Sequence, residues 1–219
     1  MDRNEHCWYK EVCDKESCSL CVKFLEMNYL MSHSNLPLAK QKAIKLQVPD
    51  SDREAYKRLN EIKHDIDNFV CHGKNLYIGS DKTGTGKTSW AIKLMHNYFN
   101  CVWDGNGLRE RALFVHVPTF LMKCKEFIEN DKDFAKLRKL LMSVDLVVWD
   151  DIASTDMSGY DLSQLEPFID FRLLSELSNI FTCNYSDRNK LSKVLGERLT
   201  SRVWSNHTEV IIFKGGDLR

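Results

Sequence analysis

Glycine and proline are scarce, ten and four in 219 residues, which excludes a low-complexity or extended disordered chain. No apolar run approaches the roughly 18 residues that cross a bilayer. The opening Met1-Asp2-Arg3-Asn4-Glu5-His6 is charged and lacks the apolar core of a secretory signal. Charge of one sign is not in excess either: Lys plus Arg and Asp plus Glu both number 31. A chain without a net field gains nothing from bulk attraction to nucleic acid or lipid, so any such contact needs a local patch. Internal repeats and Gly/Ser- or Pro-rich linkers are missing too. These absences predict a cytoplasmic protein with no membrane partner, in which structural disulfides are not expected.

What is present is enough for a packed core, with 43% apolar residues and five tryptophans. The length allows one ordinary domain and a small accessory one. Residues 1–35 read as a Cys-rich module, 36–73 as a helical linker and 74–219 as the main domain. Phe24–Met31 is apolar and helical, Ser34-Asn35-Leu36-Pro37 predicts a break before a second helix, and Asp50–Val70 predicts a surface helix. Beyond Asn75, apolar runs at Leu76–Ile78, Ala112–Val117, Leu146–Trp149, Ile180–Cys183 and Val210–Phe213 alternate with helical stretches. That alternation predicts an α/β fold with a five-stranded parallel sheet, whose ligands sit at the carboxyl ends of the strands.

The motifs fall at those ends. Between the first strand and a helix over Lys87–Tyr98 lies Asp81-Lys82-Thr83-Gly84-Thr85-Gly86-Lys87-Thr88-Ser89. A triphosphate cradle needs glycines that turn successive N–H groups inward, a lysine for the β- and γ-phosphates and a hydroxyl for Mg²⁺. Gly84, Gly86, Lys87 and Thr88 supply them, within a binding loop Thr83–Ser89. The strict pattern has glycine where Asp81 stands. That carboxylate faces a polyphosphate awkwardly, and Lys82 is positioned to offset it.

Asp145-Leu146-Val147-Val148-Trp149-Asp150-Asp151 is an apolar strand ending in two carboxylates. Asp150 suits Mg²⁺ binding through water, and Asp151 suits orienting or deprotonating an attacking water. Asn184, ending the next strand, either helps position that water or is an ordinary turn residue. In Leu195–Val203, Arg198 and Arg202 stand four apart on one helical face. They read either as a finger offered to a neighbouring subunit or as a solvated basic face with Glu197.

Cys7, Cys13, Cys18 and Cys21 crowd into fifteen residues. Four thiolates at this density can close a tetrahedral shell around Zn²⁺, and Cys18-Ser19-Leu20-Cys21 has knuckle spacing. His6 can replace one thiolate, and an iron–sulfur cluster uses the same ligands. The scattered Cys71, Cys101, Cys124 and Cys183 read as buried thiols.

Together these motifs resemble the AAA+ ATPases of the DnaC/DnaI type, the bacterial and phage helicase loaders, and their IstB-like relatives. Thr83–Ser89 matches Walker A, Leu146–Asp151 Walker B and Ile180–Asn184 sensor 1, while Leu195–Val203 looks like the arginine-finger segment. By that analogy Arg202 is the finger and Arg198 the runner-up. The resemblance covers roughly residues 70–219 and implies an AAA+ core without a full helical lid. It further implies ATP and Mg²⁺ as ligands, a hexameric replicative helicase and single-stranded DNA as partners, and self-association through the finger face. The DnaI-type zinc region that engages the helicase supports Zn²⁺ at the cysteine cluster, and the compact chain implies a phage or prophage version. In this family Pro118–Lys125 would help hold single-stranded DNA, although Phe120, Leu121, Cys124 and Phe127 also form a core-packing stripe. A transposition helper ATPase of the IstB type, a non-hydrolysing nucleotide-gated adaptor and a nucleotide kinase are the alternative readings.

Overall fold

A computed structural model describes residues 13, 21–41, 46–102, 108–126, 132–153 and 157–217. In chain order the elements are α1 (Val22–Ser32), α2 (Arg53–His64), α3 (Ile66–Cys71), β1 (Asn75–Gly79), α4 (Lys87–Cys101), β2 (Ala112–His116), α5 (Val117–Glu126) and α6 (Lys132–Leu141). There follow β3 (Leu146–Asp150), α7 (Gly159–Leu174), β4 (Ser178–Cys183), α8 (Arg188–Val203) and β5 (Thr208–Ile212). The five strands form one parallel sheet in the order β2-β3-β4-β1-β5. Helices cover both faces, which is why the inner strands read as continuous apolar runs.

Side chains alternate across each strand, and so each strand feeds two cores. Leu76, Ile78, Val148 and Ile180 pack with Tyr56, Leu59 and Ile66 from the linker helices and with Trp90, Leu94 and Met95 of α4. On the opposite face Tyr77, Val147, Trp149 and Phe181 pack with Phe120, Phe168, Leu191 and Leu199. Met27, Leu30 and Met31 of α1 join the first core. The turn after α1 caps the exposed edge of β2, where Phe114 N–H donates to Ser34 O at 2.7 Å and Asn35 Nδ2 donates to Phe114 O at 3.0 Å. An edge strand left bare would invite pairing with other chains.

Two expectations change. The second helix predicted after Pro37 is only a 3₁₀ turn at Leu38–Lys40, and 42–45 lie outside the described residues. The helix predicted over Asp50–Val70 is broken at Asp65; it lies on the surface with one face, Tyr56, Leu59, Ile62, Ile66, Phe69 and Val70, turned inward. Before it, buried Asp52 accepts hydrogen bonds from the N–H groups of Lys214 (2.7 Å) and Gly215 (3.1 Å), tying the linker to the segment after β5.

Candidate nucleotide site

The carboxyl ends of β1, β2, β3 and β4 open on one cavity of about 700 Å³, a size typical of small-molecule sites. Its walls include all of Thr83–Ser89, Asp150 at the end of β3, Asp151 just after it, Asn184 after β4 and His116 at the end of β2. Lys40, Leu46 and Gln47 of the linker close one side.

The loop takes its shape from two glycines in left-handed conformations, Gly84 at φ 69° and Gly86 at φ 90°. A side chain would strain both positions. α4 starts at the next residue, so its N-terminal N–H groups and dipole face the cradle. Lys87 is only 7% exposed, and its ammonium donates to Lys82 O at 2.9 Å and Thr85 Oγ1 at 3.5 Å. Burial pulls its pKa down, against the opposing pull of Asp151 and Asp150. A desolvated cation held by neutral oxygens gains strongly when an anion arrives.

Beside the loop, Thr88 Oγ1 donates to Asp150 Oδ1 at 2.7 Å, and Thr182 Oγ1 donates to the same oxygen at 2.7 Å. Burial raises the pKa of Asp150, and these two hydroxyls counter the rise. A hydroxyl and a carboxylate side by side are the hard oxygen donors that Mg²⁺ takes, so the residues fit that ion. Asp151 follows with its backbone in the left-handed region at φ 61°. Its N–H donates to Thr182 Oγ1 at 3.0 Å, and its Oδ1 accepts from Asn184 Nδ2 at 2.9 Å.

Asp81 faces away from the cradle. One carboxylate oxygen accepts from Ser186 N–H at 2.9 Å, and the other pairs with Lys190 Nζ at 3.2 Å. The Ser186 backbone bond is the chief reason that its pKa lies below the ordinary carboxylate value. Lys82 does not offset it, because its ammonium reaches Lys214 O at 3.3 Å instead.

Strand order, phosphate loop after β1 and paired carboxylates after β3 together decide the architecture. It is a P-loop α/β core built on a five-stranded parallel sheet. No protein-family model matches the sequence, and no curated protein does either. Solved structures match in fold. A DnaC helicase loader is 21% identical over 78% of this chain and 94% of its own, with a TM-score of 0.64. A DnaI structure is 21% identical over 84% of this chain and 94% of its own, with a TM-score of 0.62. The replication initiator DnaA bound to AMPPCP and single-stranded DNA is 19% identical over 78% of this chain and 50% of its own, with a TM-score of 0.60.

Other sequence-predicted residues lie apart from the cavity. Arg202 Nε is paired with Asp170, while Arg198 pairs with Glu166 at 3.5 Å and Asp170 at 3.7 Å. Both arginines therefore rest against α7 rather than in their own nucleotide site. On α5, Phe120, Leu121 and Cys124 are buried and Met122, Lys123 and Lys125 are exposed. The apolar stripe is core, and Phe127 lies outside the described residues. Cys13 and Cys21 are partly buried, whereas Cys7 and Cys18 lie outside the described residues. Among the described residues no three His, Cys, Asp or Glu side chains gather to hold a metal ion. Of the scattered cysteines only Cys124 and Cys183 are buried. Cys71 and Cys101 are exposed, contrary to the expectation, because they end α3 and α4 at the surface. Sequence reading also missed Thr182 and His116. Both end up at the carboxyl edge of the sheet, and Thr182 shares a strand face with Asn184 two residues on.

Proposed function

We propose that this chain is an ATPase that loads a replicative DNA helicase onto single-stranded DNA during replication initiation. The observation that carries the reading is the convergence of Lys87, Thr88, Asp150, Asp151 and Asn184 on one cavity. The fold shared with a DnaC helicase loader along 94% of that chain supports it.

The loop N–H groups and Lys87 bind the phosphates and hold the terminal one in place. Thr88 and Asp150 would hold Mg²⁺, which when bound neutralises charge on the β- and γ-oxygens. Asp151 accepts the hydrogen bond, and then the proton, of the attacking water. Asn184 fixes that carboxylate through Oδ1, leaving its other oxygen for the water. Arg202, or Arg198, of a neighbouring copy completes the site in trans by exchanging its α7 carboxylate partners for the γ-phosphate. ATP binding tightens the grip on single-stranded DNA along the exposed face of α5, and hydrolysis releases it. Cys7, Cys13, Cys18 and Cys21 would hold zinc, which would supply the folding energy of a module that grips the helicase.

Co-purification with a hexameric replicative helicase, with and without ATP, tests the reading. A complex that depends on nucleotide, and phosphate release that accelerates with single-stranded DNA, are the expected results. No complex in either state moves the reading to a transposition helper or a nucleotide-gated adaptor. Metal analysis should find about one zinc per chain, abolished by substituting Cys18 and Cys21.

A further inference from the structure

We propose that Thr182 is a positioning residue that locks the two acidic residues of the nucleotide site to each other. The pairing of β3 with β4 runs in register from Leu146↔Ser178 to Trp149↔Phe181 and then stops. Thr182 is the next residue, and it takes over the work of the ladder with three bonds. Its hydroxyl donates to Asp150 Oδ1 at 2.7 Å and accepts the Asp151 N–H at 3.0 Å, while its carbonyl accepts the Ile152 N–H at 3.1 Å.

Three successive residues at the end of β3 are thus pinned to one residue of β4. The corner needs pinning, because Asp151 sits at φ 61°, a left-handed conformation that strains a residue carrying a side chain. Thr182 is 1% exposed, so its hydroxyl has no water to turn to, and both of its bonds go to the site. The polarity matters as well. Donating to Asp150 favours the ionised carboxylate, and accepting from Asp151 N–H sets the direction in which that residue leaves the strand. Only a hydroxyl of this size does both. With Thr88 and Thr182 both on Oδ1, the Oδ2 of Asp150 takes no hydrogen bond among the described residues, which leaves it for a hydrated cation.

The kinetic arm of the test rests on the ATPase reading; the binding arm does not. Thr182→Val keeps the shape and the carbonyl bond and removes only the hydroxyl. Binding of a fluorescent ATP analogue is titrated with and without Mg²⁺, and turnover is measured in parallel. The expected result is unchanged affinity in EDTA, with the Mg²⁺-dependent gain in affinity and the turnover each reduced about ten- to a hundredfold. Thr182→Ser should restore both. A wild-type Mg²⁺ gain in Thr182→Val overturns the proposal, as does a Thr182→Ser variant as impaired as Thr182→Val. Should Thr182→Val not fold, Thr182→Cys, a near-isostere and poor hydrogen-bond former, is measured in its place with the same expectation. If the wild type shows no turnover, the hydrolysis reading falls, and the Mg²⁺ arm still decides the role of Thr182.

Discussion

Asp81 accepts a hydrogen bond from the Ser186 backbone N–H at 2.9 Å, joining the entrance of the phosphate loop to the turn after β4. The ion pair with Lys190 is half exposed on both sides and adds little. The backbone bond is the part that counts. Asp81→Gly, which restores the commoner loop sequence, should therefore cost about 1 kcal/mol of stability, measured by urea unfolding, and leave nucleotide affinity close to wild type. The sign with pH follows from the depressed pKa. The contribution is present above the unfolded value of about 4 and lost as pH falls below it, so wild type and Asp81→Gly should converge in stability at acid pH.

Arg172 is fully buried, and its guanidinium donates to five acceptors: Asn179 Oδ1 and the carbonyls of Leu141, Val144, Asp145 and Ser178. Burial pushes its pKa down to about 9. It knots the amino ends of β3 and β4 together on the side opposite the cavity. Arg172→Met takes a buried donor from each of those oxygens, of which Asn179 Oδ1 keeps Trp149 Nε1 and Asp145 O keeps the Ser178 N–H, and should cost about 3 kcal/mol, read as a lower urea midpoint. Arg172→Lys should recover only part, because an ammonium cannot fork to five oxygens.

The sheet was legible because each strand is a short apolar run whose partners are equally apolar, and the phosphate loop because all of its chemistry is local. The residues that escaped act across long separations. Asp81 could be read only as an awkward neighbour of phosphate, since Ser186 and Lys190 stand more than a hundred positions away. Arg172 looked like any helix arginine, and Thr182 like any strand threonine. The Leu38–Lys40 turn failed as a helix because the chain there follows the cavity rim and buries none of its own residues.

Lys87 forms no ion pair with a carboxylate among the described residues, and Asp150 and Asp151 offset only part of the cost of its burial. Lys87→Ala should therefore leave the nucleotide-free protein as stable as wild type or more so. ATP affinity should fall about ten- to a hundredfold, the worth of one charge-assisted hydrogen bond. Calorimetric titration and a melting curve on the same preparation separate the two effects. Normal ATP binding by this variant would remove the loop from the site.

Asp151→Asn keeps the side-chain shape and an oxygen that can accept from Asn184 Nδ2, but it loses the proton-accepting carboxylate. Turnover should drop about 10²- to 10⁴-fold with ATP affinity intact, by phosphate release against equilibrium binding. Unchanged turnover would assign water activation elsewhere.

Asp217 lies against the phosphate loop itself. A Cβ built on Gly84 would come within 2.0 Å of its Oδ1, so the carboxylate occupies the space that a side chain there would need. The segment is strapped down upstream, where Asp52 accepts the N–H groups of Lys214 and Gly215 and Lys82 Nζ reaches Lys214 O. A negative charge at this position opposes the phosphates that the loop is shaped to hold. At an exposed site the repulsion is worth about 1 kcal/mol, so Asp217→Asn should tighten ATP binding about fivefold. The gain should shrink as salt is raised from low to physiological concentration, because screening weakens the repulsion in the wild type. Equal affinity for the two proteins at low salt would mean that the nucleotide lifts this segment away before the charges meet.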